Sequence, residues 1–117
     1  TLTLTNGTFS TSSSNYAVNS VNFSSSNSNT RTLNLNASTY TTTSSWTCTT
    51  STNLTVSGSG ATVTMTSGSA KTFAGGGANW GAITLDQGGA GQLTISGSNT
   101  FANILNSLGI SPSVSGV

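Results

Sequence analysis

Arg31, Lys71 and Asp86 are the only charged side chains in the sequence, and they bound the chemistry open to it. Acid/base catalysis sets one titratable group against another, yet Asp86 is the sole side-chain carboxylate and there is no histidine. A Ser-His-Asp arrangement is therefore excluded. A serine beside Lys71 is the one nucleophile and base pairing left, but a single lysine in a serine-rich chain is ordinarily solvated. A pair of Lys71 with Asp86 across neighbouring strands is the other structural use open to it, for a modest gain. Cys48 is the only cysteine and cannot close an internal disulfide, and no Cys/His spacing suits zinc. Gly75-Gly76-Gly77 lacks a following Lys-Ser/Thr and a Rossmann context, so it reads as a chain corner rather than a phosphate loop. The expectation is a chain that is not an enzyme, with no catalytic residue, metal ligand or cofactor.

Ligand chemistry is better served by rings and amides. Trp80, Tyr16 and Tyr40 could offer faces to sugar rings beside the Gln87 amide, which makes a glycan the most plausible ligand. Trp46 alternates with Cys48 and reads as core, the ordinary fate of an aromatic residue in such a pattern. Sequons at Asn6, Asn22, Asn36 and Asn53 carry little weight in a chain so rich in Ser and Thr. Alternating threonines at 1, 3 and 5, at 47 and 49, and at 62, 64 and 66 resemble the arrays of ice-binding β-solenoids, although ordinary strand propensity also gives alternating Thr.

The elements that would position these residues are strands. The 117 residues make one domain's worth of chain, and half of them are Ser (23), Thr (23) or Asn (13), which favour turns and strand edges over helix interiors. Net charge near zero and patterned apolar residues argue for an ordered β protein rather than disorder. Two basic residues cannot supply a nucleic-acid surface, and no apolar run reaches the ~20 residues of a membrane helix. The expected partners exclude nucleic acid and membrane insertion. Without an initiator Met or a signal peptide the chain reads as part of a longer protein.

Apolar pairs bracketing one polar residue mark the strands: Leu2-x-Leu4, Leu33-x-Leu35, Leu54-x-Val56, Val63-x-Met65, Ile83-x-Leu85 and Leu93-x-Ile95. Asn6-Gly7 is a strong turn signal, and Asn19-Ser20 breaks the alternation of Tyr16, Val18, Val21 and Phe23 as a bulge would. Leu2-x-Leu4 to Phe9, Leu33-x-Leu35 to Tyr40 and Leu93-x-Ile95 to Phe101 are copies of one pattern, the third with one residue inserted. Intervals of 21 (33 to 54) and 20 (63 to 83) give a period near 20, which suits a β-solenoid coil; a β-sandwich with regular strands remains the alternative. Gly75, Gly76, Gly77, Gly88, Gly89 and Gly91 would turn the corners.

Residues 1–104 are read as the β-repeat domain and 105–117 as a C-terminal cap or linker. Phe101, Ile104, Leu105 and Leu108 fall at helical spacing, so a short C-terminal helix is expected, with a continued strand from Thr100 to Ile104 as its rival. After Ile110 the tail reads as linker.

The order Asn29-Thr30-Arg31-Thr32-Leu33, then Lys71-Thr72-Phe73 before the triple glycine, then Thr94-Ile95-Ser96-Gly97 before Asn99-Thr100-Phe101, resembles a repeat in Ser/Thr/Asn/Gly-rich structural proteins of tailed bacteriophages and related bacterial surface proteins. The resemblance covers most of residues 1–104. It implies a fibre, spike or capsid decoration on a virion or extracellular surface; the expected partners are copies of itself or other surface proteins, and the glycan reading of the aromatic residues adds a host surface glycan and the alternative of a glycan-binding extracellular adhesin or filament subunit. It brings no catalytic residues. The departure from the repeat comes after Ile104.

Overall fold

The computed structural model describes residues 1–11, 15–105, 107 and 114–115. Among the described residues twelve strands form: β1 Leu2–Thr3, β2 Gly7–Ser10, β3 Ala17–Ser24, β4 Arg31–Asn34, β5 Thr39–Thr47, β6 Leu54–Ser57, β7 Ala61–Met65, β8 Lys71–Ala74, β9 Asn79–Gln87, β10 Leu93–Ser96, β11 Thr100–Leu105 and β12 Val114–Ser115. All their ladders are parallel. A parallel neighbour cannot be reached by a hairpin, so the chain must travel round and come back one level higher. The result is a β-solenoid of about five turns. The antiparallel sandwich is set aside.

Each turn visits three faces. Face I stacks β1, the end of β3, the end of β5, β8, β10 and β12; face II stacks β2, β4 and β6; face III stacks the start of β3, the start of β5, β7, the end of β9 and the end of β11. The long strands bend round corners, β3 and β5 from face III into face I, and β9 and β11 from the side of face II into face III. In β3 the bend falls where the register slips between Ser20 and Asn22, the bulge expected from the broken alternation.

Side chains that alternate inward form columns up the stack. On face I, Leu2, Phe23, Trp46, Phe73 and Ile95 lie in register; on face III the column is Val18, Tyr40, Val63, Leu85 and Ile104. Trp46 is the centre of the core. Its ring stacks on Phe23 at 4.0 Å and Phe73 at 5.8 Å, and meets Trp80 edge-on at 6.0 Å and Tyr40 at 6.4 Å. Rings offset or edge-on in this way add to the gain from burial alone.

Two expectations need correction. The coil is longer than the apolar pairs suggested: Leu33 lies in register with Val56 rather than Leu54, and Val63 with Leu85 rather than Ile83, giving 23 and 22 residues per turn. At the C-terminal end the strand wins over the helix across Thr100–Leu105, because Phe101 stacks on Trp80 and Ile104 on Leu85 of the coil below. Those contacts outweigh a local helical spacing. Leu108 lies outside the described residues. In the tail read as linker, Val114–Ser115 pairs with β10 as the start of a further rung.

Glycine turns the corners where expected. Gly76 has φ +64° and Gly77 φ +75°, and a Cβ on Gly76 would collide with the Cys48 carbonyl of the coil below.

Candidate functional site

The solenoid takes most of the sequence's candidate ligand residues inside. Trp80 and Gln87 are fully buried and Tyr40 is 2% exposed. Trp80 Nε1 donates to the Gly75 carbonyl at 3.1 Å, and the Tyr40 hydroxyl donates to the Leu35 carbonyl at 3.0 Å. Both aromatic residues thus seal the corner five residues before them. Burial raises the Tyr40 pKa, partly offset by the hydroxyls of Thr11 and Ser38. Gln87 Nε2 donates to the Gly91 carbonyl at 2.6 Å. A glycan cannot reach these three side chains. The physical reason is alternation: each sits at an inward position of its strand. Tyr16 is 52% exposed, beside a shallow hollow of about 350 Å³ lined by Ser10, Thr11, Ala17 and Val18. The four candidates are not brought together.

Lys71, for which solvation was the ordinary expectation, is also buried, and so is Arg31. Arg31 is fully enclosed, and its guanidinium donates to the Ser25 carbonyl, to Ser25 Oγ at 3.0 Å, to the Asn29 carbonyl at 3.0 Å, to the Thr52 carbonyl at 2.8 Å and to that of Thr50 at 3.4 Å. Lys71 Nζ donates to the carbonyls of Ser67 at 3.1 Å, Gly89 at 3.2 Å and Gly91. Each cation opens a strand, turns inward and ties the loop before it to the equivalent loop one coil higher. Burial lowers the Lys71 pKa, while the carbonyl dipoles hold its proton. The pair expected between Lys71 and Asp86 does not form: Asp86 points away from the core on face III, where it is nonetheless buried, accepting from Ser107 N at 3.0 Å and Thr64 Oγ1 at 3.5 Å. Opposite strand faces keep the two apart.

Cys48 is enclosed in the core, where burial pushes its pKa up to about 12 against the opposing pull of Arg31. Such a thiol is inert. Among the described residues no group of His, Cys, Asp and Glu could hold a metal ion, and no helix is long and apolar enough to cross a membrane.

What the surface does offer is strand edge and hydroxyl. Leu2, Phe9 and Val18 of the first coil are only half-buried, whereas Phe23, Leu33 and Tyr40, stacked directly on them, are at most 2% exposed. Among the described residues no coil lies beneath the first. On face III, Thr39, Thr62 and Thr84 form one outward column, and Thr41 and Thr64 a second that ends at Asp86. Apolar pairs marked these strands in the sequence, but nothing in it says which coil has a neighbour beneath.

Searches of protein-family models, curated proteins and solved structures return no match to this chain.

Proposed function

We propose that this chain is a non-enzymatic structural element of a virion, a fibre, spike or capsid decoration, that acts by self-assembly and surface attachment. The observation that carries the reading is the open first coil. Leu2, Phe9 and Val18 present the inward columns of all three faces to the outside, and among the described residues β1, β2 and the start of β3 are paired on one side only. A surface of that kind is completed by another coil, supplied by a second copy or by more of the same protein, which would bury the apolar column ends and pair the edges at once. The sequence resemblance to phage and bacterial surface repeats supports the same role. Light scattering with electron microscopy of the purified chain tests it: a closed oligomer or end-to-end filament is expected. A monomer at every concentration would remove the reading.

Face III favours a second reading, ice binding. Its five threonines repeat at the rung spacing of about 4.8 Å and the two-residue strand repeat of about 6.7 Å, a regular grid of hydroxyls and methyls. Thermal hysteresis that disappears in a Thr62→Leu variant is the expected sign. Hysteresis indistinguishable from that of buffer would eliminate it.

A further inference from the structure

Of the 13 asparagines in the chain, Asn6 alone is followed by glycine. Asn6 and Gly7 are both exposed, where the chain enters β2 on the lowest described rung of face II. Gly7 takes φ +77°, and its N–H is shared between Asn6 Oδ1 at 2.8 Å and the Thr30 carbonyl at 3.0 Å. The first of these contacts folds the Asn6 carboxamide back over the next peptide group, so that Cγ and the Gly7 nitrogen are already neighbours. A Cβ built on Gly7 meets nothing within 4 Å, which leaves room for a ring to close there and for water to follow.

No other described asparagine combines these features. Asn103 makes the same local contact, Ile104 N donating to Asn103 Oδ1 at 2.9 Å, but the branched side chain of isoleucine crowds its own nitrogen. Other carboxamides are tied to carbonyls: Asn29 Nδ2 donates to Thr5 at 3.0 Å, Asn53 Nδ2 to Ser28 at 2.9 Å and Asn99 Nδ2 to Ser96 at 2.9 Å.

We propose that Asn6–Gly7 is a self-modifying site, which converts to aspartate and iso-aspartate without an enzyme. The deprotonated Gly7 nitrogen attacks Asn6 Cγ, the Cγ–Nδ2 bond breaks, and ammonia leaves as a succinimide closes. Water then opens the ring. Cleavage at Cγ gives an aspartate side chain, and cleavage at the main-chain carbonyl carries the peptide through Cγ as iso-aspartate. The sum consumes one water, releases one ammonia and adds one carboxylate. The bond from Gly7 N to the Thr30 carbonyl must open first. It is the entry bond of β2, which among the described residues is paired on one side only, so fraying of that edge gates the reaction. The consequence rests on the assembly reading above. The new carboxylate falls on the rung where another coil would stack, in a chain whose only carboxylate side chain is otherwise Asp86. A chain left unstacked ages out of assembly, and a stacked one is protected.

The test holds the purified, unaltered chain in mildly alkaline buffer for weeks and maps its peptides by mass spectrometry, with iso-aspartate counted by enzymatic methylation. Conversion at Asn6 is expected to run about tenfold or more faster than at Asn103, whose local contact is the same. Light scattering follows assembly in parallel. The aged chain and an Asn6→Asp variant should stack more weakly than the fresh chain and an Asn6→Gln variant, and added NaCl should restore part of the loss by screening the carboxylates. Asn6 intact when other asparagines have begun to convert, or converting no faster than Asn103, would overturn the site. Conversion that leaves stacking unchanged upholds the site and overturns its link to assembly. A fresh chain that never assembles removes the assembly reading, and the peptide map still decides the chemistry.

Discussion

Lys71 and Arg31 show how a nearly uncharged chain uses its two cations. A buried ammonium or guanidinium is costly, and the cost is offset only where carbonyl oxygens take over from water. Truncating either one leaves several corner carbonyls without a donor. Lys71→Met, which keeps the apolar stem, is expected to lower stability by roughly 2 to 4 kcal/mol, measured by urea unfolding. A loss below about 0.5 kcal/mol, the ordinary surface value, would mean that the clamp is idle. Cys48 gives a pH-dependent companion. Its folded pKa is raised to about 12, above the unfolded value near 9, so its contribution is complete below pH 9 and is lost as the pH climbs towards 12. Cys48→Ala should flatten that part of the stability profile, and the unaltered thiol should react with a thiol reagent only as fast as the chain unfolds. Rapid labelling at neutral pH would contradict the burial.

At the scale of elements, the repeated unit is a corner. Residues 31–47 and 71–87 share the same course, a four-residue strand, a left-handed residue (Asn36, φ 45°, or Gly76, φ 64°), and an aromatic anchor nine residues after the cation. One begins on face II and the other on face I, so the pattern marks corners and does not count coils. This explains what could be read in advance. Strands, turns and the solenoid were legible because inward Leu, Ile and Val alternate with Thr. The coil length was not, because Arg31 and Ala61 fill inward positions that Leu54 and Ile83 fill one coil higher. Anyone following apolar pairs slips by two residues there. The same blindness sent Trp80, Tyr40 and Gln87 to the surface, since a side chain's face depends on the register of its strand. Gly76→Ala tests the corner: positive φ and the Cys48 carbonyl together should cost about 1 to 3 kcal/mol by urea unfolding, against a few tenths for Gly68→Ala, where nothing stands near. Equal costs would show that the corner is not strained.

For the molecule as a whole, the open first coil and the scarcity of charge make a joint statement about association. Screening acts on charges, and an interface built from strand edges and the ends of apolar columns has almost none to screen. Kosmotropic salts strengthen apolar burial. Self-assembly through the first coil should therefore be insensitive to NaCl at neutral pH and promoted by ammonium sulfate, as followed by light scattering. Phe9→Asn supplies the structural half of the test. Phe9 is half-buried at the bottom of the stack, so the substitution should weaken assembly severalfold while costing the single chain little, and Leu33→Asn, one coil up in the same column, should unfold the chain instead. Assembly that dissolves on adding NaCl would point to ion pairs, and assembly untouched by Phe9→Asn would point to another surface. Either outcome separates a rod that grows by stacking from a module that meets its partners along its sides.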